Sequence, residues 1–144
     1  SMQLIVPGLD LSLPVVGVPL REGGWDIRWL SSQAGYLEGS AYPTWQGNTV
    51  LTGHAVLPTG YPGPFAELGS LGWDDEIILF AHGQKYIYHV RDNRYVAPED
   101  FSILEHKEED WLTLFTCYGY DEIKETYRWR QVVQAVLIRV DVLD

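Results

Sequence analysis

The sequence predicts a mostly β domain, a barrel or a sandwich. Three observations carry that prediction. Gly and Pro punctuate the first half densely, at Pro7-Gly8, Pro14, Gly17, Pro19, Gly23-Gly24, Pro43, Pro58 and Pro62-Gly63-Pro64. Short apolar runs lie between them, the pattern of strands parted by turns. Tyr86, Tyr88 and Val90 alternate with Ile87, His89 and Arg91, the period of a strand with two chemically different faces.

The elements follow in order. Residues 13–18 form one expected strand, and residues 48–55 another, with His54 near its end. Residues 76–81 and 85–91 flank His82-Gly83-Gln84, a hairpin turn. Residues 111–116 lead into Cys117. Residues 127–142 form the longest candidate. Its centre, 132–138, is apolar on both parities except at Gln134, which marks a strand inside the sheet. Three segments read as helical. Residues 65–71 follow Pro64, which suits a first helical turn. Residues 98–104 open on Pro98-Glu99-Asp100, with acids at the N-terminal end. Residues 24–36 place Trp25, Arg28, Trp29 and Leu30 at helical spacing. No repeat, low-complexity tract or linker divides the chain, so residues 1–144 are read as one domain.

Composition narrows the function. A chain of 144 residues that is 46% hydrophobic supports one sizeable core. Its net charge of −10, from 20 acidic and 10 basic residues, argues against nucleic-acid binding. That binding needs clustered Lys and Arg to neutralise phosphates; the acidity reads first as solubility. No apolar run approaches the roughly 20 residues that span a bilayer, and no signal-peptide pattern is present. Ser1-Met2 reads as the remnant of a cleaved tag, so the sequence is expected to be a soluble piece of a longer chain.

The chemistry concentrates on three residues. Cys117, the single cysteine, ends the run Thr113-Leu114-Phe115-Thr116-Cys117. Arg130 opens Arg130-Gln131-Val132-Val133 downstream, and His54 closes Leu51-Thr52-Gly53-His54 upstream. Each has an ordinary structural explanation: a small buried hydrophobe, a strand-end histidine, an arginine snorkelling from an edge. Together they cover an acyl transfer. A thiolate attacks an amide carbonyl. An imidazole takes the thiol proton and protonates the departing amine. A guanidinium, always charged and rich in N–H donors, holds the oxyanion. No carboxylate partner is required. Arg128 competes with Arg130, because both point to one face of an extended strand.

These residues carry a resemblance. Residues 113–117 resemble the TLxTC signature of sortases, the cysteine transpeptidases of bacterial cell surfaces. Arg130 with Val132 and Val133 resembles the arginine strand of that family, and Leu51 to His54 its glycine-histidine strand end. The order His, Cys, Arg and both spacings match, and the likeness runs over residues 13–142. The resemblance implies a closed β-barrel of about eight strands with a few short helices. It implies Cys117 as nucleophile, His54 as acid/base and Arg130 as oxyanion or substrate-positioning group. The register Arg-x-x-x-x-Ala, matching Arg130 to Ala135, selects Arg130 over Arg128.

The resemblance further implies cleavage of an LPxTG-like sorting motif between Thr and Gly through a thioacyl-enzyme. The partners are then the C-terminal sorting motif of a secreted surface protein and an amine from a peptidoglycan precursor or a pilin. Thr116, Val96, Ile103 and Leu104 are the expected substrate-binding residues, the last three as a groove wall beside the Cys strand. The place of work is the extracellular face of the bacterial plasma membrane, with the anchor in a segment outside this sequence. No cofactor is named. Glu108-Glu109-Asp110 and Asp121-Glu122 read as solvated acids rather than a calcium site, and no zinc spacing occurs. Leu57-Pro58-Thr59-Gly60 superficially resembles a sorting motif and reads as a turn. The subclass stays open, with housekeeping types favoured over pilus builders, since no Asp-Pro lid is evident near the N-terminus.

Two other readings stand beside this one. A sortase-fold hydrolase would release its acyl group to water. A non-catalytic β domain would use the six Trp and nine Tyr to bind carbohydrate or protein, although most of these read as core. An L,D-transpeptidase would need a Ser/Thr-x-Gly-Cys context, and papain-like hydrolases place Cys before His.

Overall fold

A computed structural model of the chain describes residues 2–43 and 46–143, apart from the side chain of Asp121. Ten strands follow in order: β1 (Met2–Val6), β2 (Leu11–Val18), β3 (Leu20–Arg21), β4 (Gly24–Trp25), β5 (Ala34–Leu37), β6 (Asn48–Thr52), β7 (Glu76–Ala81), β8 (Gln84–Val96), β9 (Trp111–Asp121) and β10 (Thr126–Val142). Eight of them close a barrel in the order β1-β2-β5-β6-β9-β10-β8-β7, and β3 pairs with β4 in a separate hairpin. β7 pairs with β1, so no strand of the barrel is left with an open edge. The β2–β5 and β6–β9 pairs are parallel, and the other barrel pairs are antiparallel.

The expected strands are present, several of them longer than the sequence pattern suggests. Strand β8 continues past residue 91 to Val96, and β9 passes through Cys117 to Asp121. The turn between β7 and β8 is a two-residue one. His82 and Gly83 both have positive φ, 55° and 72°, as the tight hairpin that matches strand twist requires. Strand β6 ends at Thr52, so His54 lies in the loop just beyond it. Leu57 to Gly60 forms the expected turn, closed by Gly60 N–H on the Leu57 carbonyl at 2.8 Å.

The few short helices are present, each shorter than its expected segment. Residues 65–71 hold only a short 3-10 helix, Leu68–Ser70, and residues 98–104 only Phe101–Leu104, capped by the Asp100 carboxylate accepting from Ser102 N–H. Residues 24–36 hold no α-helix but β4, a 3-10 turn at Arg28–Leu30, and β5. Positive φ at Gly24 and Ser31 interrupts that segment. Segments this short do not repay helix nucleation, and the barrel supplies better burial in extended form.

Two hydrophobic clusters lie back to back. Leu4, Leu51, Leu79, Tyr88, Leu112, Leu114 and Val133 are among those filling the barrel. Val18, Leu30, Leu37, Val50, Val96, Ile103, Phe115 and Val132 form a second cluster. Neighbouring residues divide between them: Val50 and Leu51, Leu114 and Phe115, Val132 and Val133. Strands β6, β9 and β10 are therefore covered on both faces, as the continuous apolar pattern of β10 predicts. That cover ends at Ala135; Ile138, expected inside, is 48% exposed. Gln134 is buried at a cost that hydrogen bonds offset: its Nε2–H reaches Thr113 Oγ1 at 3.2 Å, and its Oε1 accepts from Arg94 at 3.0 Å.

The cover over the second cluster comes from the connection between β2 and β5, with Trp25, Ile27 and Leu30, and from the connection between β8 and β9, with Ile103 and Leu104. Asn48 pins the second of these. Its Nδ2–H group donates to the carbonyls of Ile103 (2.8 Å) and Glu105 (3.2 Å), while its Oδ1 accepts from Thr113 Oγ1 (2.7 Å).

Candidate active site

Strand register brings two of the three predicted residues, Arg130 and Cys117, to one level. Arg130 on β10 is the direct partner of Cys117 on β9. Parallel pairing sets Thr52 opposite Phe115, and Thr116 Oγ1–H donates to the Gly53 carbonyl at 2.7 Å. That bond ties the residue before His54 to the residue before Cys117. Cys117 shares its parity with Phe115, so it emerges on the face of the second cluster. Arg130 lies on the same face, its guanidinium 5.2 Å from the Phe115 ring centre. Arg128 sits two residues nearer the hairpin tip, away from the Cys117 pairing.

The loop after β6 is built to hold His54. Phe65 N–H donates to the His54 carbonyl at 3.0 Å, and Gly63 N–H to the Ala55 carbonyl at 2.8 Å. Gly63 permits that approach, because a Cβ there would stand 2.2 Å from the His54 carbonyl oxygen. A Cβ on Gly53 would meet the Phe65 ring at 3.1 Å. His54 Nε2 is buried and has no hydrogen-bond partner among the described residues, the Cys117 thiol included. A buried polar atom without a partner is costly, and it is left open where chemistry needs it.

The thiol is half-buried, and its electrostatics are mixed. Burial pushes the Cys117 thiol up, and the charge of Arg130 pulls against that shift. Burial outweighs the guanidinium, so the thiolate is disfavoured relative to that of an ordinary cysteine.

The other predicted contacts divide. Thr116 is buried, and its hydroxyl is committed to the Gly53 carbonyl. Val96 and Ile103 are buried in the second cluster rather than walling an open groove, and Leu104 packs against it, half-buried. Val96 packs there as the last residue of β8, and Ile103 and Leu104 because Asn48 draws the connection down onto the barrel. His82 lies in its turn, His89 on β8 between Asp74 and Glu76, and His106 in the acidic connection. No group of three or more His, Cys, Asp or Glu among the described residues is arranged to hold a metal. Asp110 instead accepts from Gly47 N–H, and the Asp121 side chain lies outside the described residues.

Two adjoining cavities reach Cys117, both also touching Ala55, Ala66 and Tyr118. One, of about 280 Å³, extends to Glu67, Ser70 and Gln131. The other, of about 560 Å³, runs between Val56, Pro62, Tyr120 and Tyr127. The sequence reading placed most aromatics in the core, and Tyr36, Tyr86 and Tyr88 are there. Tyr95, Tyr118, Tyr120 and Trp129 are instead exposed beside the thiol, with Tyr95 stacked on Tyr118 at 4.8 Å and Tyr120 edge-on to Tyr127 at 5.1 Å. Their signal was in the strand period: Tyr118 and Tyr120 continue the parity of Thr116 past the end of the barrel. Gln131 was legible in the same way, as a polar residue in a buried apolar run.

Residues 4–138 match the family model for the sortase domain. The chain is 26% identical to sortase A of Bacillus anthracis over 125 residues, 87% of this chain and 55% of that protein. It is 29% identical to sortase D of Bacillus subtilis (strain 168) over 122 residues, 83% of this chain and 55% of that one. It thus spans about half the length of these relatives. The crystal structure of sortase C-1 from Actinomyces oris superposes with a TM-score of 0.78 at 29% identity, covering 96% of this chain and 73% of that one.

Proposed function

The chain belongs to the sortase family, and from that premise we propose that it is a cysteine transpeptidase cleaving an LPxTG-like motif between Thr and Gly. The observation that carries the reading is the direct pairing of Arg130 with Cys117, with the residue before His54 bonded to Thr116 and the buried Nε2 of His54 uncommitted. His54 takes the thiol proton, and the Cys117 sulfur attacks the threonine carbonyl carbon. Arg130 donates N–H groups to the oxyanion that forms. The C–N bond breaks as His54 returns the proton to the leaving glycine nitrogen. An acyl group remains on sulfur, and an amine of the cell wall or of a pilin resolves it.

Thr116 serves as a positioning residue here, since its hydroxyl fixes the Gly53 carbonyl one residue before His54. The donor peptide lies on the face shared by Cys117 and Arg130, its apolar residues over the second cluster at Leu104. Val96 and Ile103 support that floor from within. The enzyme works at the outer surface of the bacterial membrane; among the described residues no helix is long and apolar enough to cross it.

A peptide library carrying sorting motifs, with mass detection of the adduct on Cys117, tests this. A thioacyl adduct on the wild type and none on Cys117→Ala is expected. Full cleavage by Cys117→Ala would overturn the proposal. Product analysis with and without added amine separates transfer from hydrolysis.

A further inference from the structure

An acyl-enzyme that transfers to an amine needs a place for that amine, and the smaller cavity beside Cys117 has suitable chemistry. Glu67 is the one charged side chain among the described residues that line it. Its carboxylate takes part in no ion pair among the described residues. Ser70 Oγ–H donates to the Glu67 carbonyl at 2.9 Å, so the Ser70 oxygen keeps accepting capacity.

Gln131, 7% exposed, adds an acceptor whose direction is fixed by a chain of bonds. Asn93 Nδ2–H donates to the carbonyls of Leu68 (3.0 Å) and Leu71 (2.7 Å). Asn93 Oδ1 is therefore free to accept, and Gln131 donates to it through Nε2. That leaves Gln131 Oε1 facing Gly69 on the cavity wall, where a Cβ would stand 3.1 Å from it. Exposed Glu67 and Ser70 and buried Gln131 thus bring a carboxylate, a hydroxyl and an amide oxygen to the lining of this cavity, and no Lys, Arg or His lines it among the described residues.

We infer that this cavity is the binding site for the acceptor as a primary ammonium, held by Glu67, Gln131 Oε1 and Ser70 beside the acylated Cys117. The inference rests on the acyl-transfer reading and deepens it. Three acceptors suit three N–H donors, and an alkylammonium is the protonated form of such an amine at neutral pH. The bound ammonium first releases one proton to solvent. The neutral nitrogen then attacks the thioacyl carbon, forming a C–N bond. His54 takes a proton from that nitrogen and delivers it to the sulfur as the C–S bond breaks, leaving an amide and a free thiol. Glu67 raises the local concentration of the cation and does not touch the reacting carbon.

The test compares two acceptors on the same sorting-motif donor: a glycine-terminated peptide, which arrives as a cation, and hydroxylamine, which is largely uncharged at neutral pH. For Glu67→Gln, the KM for the peptide amine should rise about tenfold, the size of one lost charge-assisted bond. The KM for hydroxylamine should stay at the wild-type value. Added salt should raise the wild-type KM for the peptide amine and lower that of Glu67→Lys, where the field is reversed. An unchanged peptide-amine KM in Glu67→Gln, or an equal rise for both acceptors, would overturn the assignment while leaving the transpeptidase reading intact. Absence of any thioacyl adduct on wild-type Cys117 would overturn both.

Discussion

Cys117 is held in a balance that mutation can tip. Burial raises the thiol, and Arg130 lowers it. The alkylation rate of Cys117 by iodoacetamide should therefore reach half its maximum at a higher pH than an ordinary cysteine. Arg130→Met removes the lowering influence and keeps the bulk, so that midpoint should move further up. Transfer in Arg130→Met should fall by about 10²–10³, the cost of one oxyanion donor. A midpoint that moves down would show that the guanidinium does not act on the sulfur. The three residues of the site were legible in the sequence because each stands at the end of a short local run, His54 and Cys117 closing theirs and Arg130 opening its own. Glu67, Ser70 and Asn93 were not, since their neighbourhood with Cys117 exists only once β8, β9 and β10 are paired.

The element that decides where the imidazole sits is the loop from Gly53 to Phe65. It is irregular, and strand periodicity carried the expected strand past its real end at Thr52. What replaces the ladder there is a set of close approaches: Thr116 to the Gly53 carbonyl, Phe65 N–H to the His54 carbonyl, and Gly63 against the His54 backbone. Gly63→Ala puts a methyl group 2.2 Å from the His54 carbonyl oxygen, so either the loop or His54 must shift. The variant should lose about 1–3 kcal/mol in urea unfolding. Thioacyl formation should fall more steeply than iodoacetamide alkylation, because the thiol stays in place while its base moves. Equal losses in both rates would mean that the whole barrel end is disturbed. The helical expectations at residues 24–36, 65–71 and 98–104 shrank to single 3-10 turns. Spacing of Trp25, Arg28 and Trp29 is compatible with one helix, but nothing in a short run reveals that Trp25 will pair in β4 while Arg28 and Trp29 keep only a 3-10 turn.

At the scale of the whole molecule, the fold is a barrel carrying a second core on one outer face, and the site stands where the two meet. The barrel was legible, since alternating and doubly apolar runs report burial directly. The second core was not, because the connection between β8 and β9 reads as charged and irregular, and its first half is tied down by a buried amide, Asn48, that no local pattern announces. Asn48→Asp tests that attachment. The amide donates to the Ile103 and Glu105 carbonyls, and a carboxylate would face those two oxygens with no proton to give. Asn48 is 2% exposed, so the ion would also be desolvated. Both effects raise the carboxyl above its unfolded value, near 3.9 for aspartate. The folded variant then holds its proton over a pH range where the unfolded chain has lost it, so stability falls as pH rises. Urea unfolding should show Asn48→Asp close to wild type near pH 4, where the protonated acid still donates to one carbonyl. By about pH 7 it should be weaker by several kcal/mol. Amide exchange should rise first in residues 97–110, ahead of the barrel strands, as the connection releases. A loss of stability independent of pH, or exchange rising uniformly over the barrel, would show that Asn48 serves the barrel itself and not the attachment of its outer core.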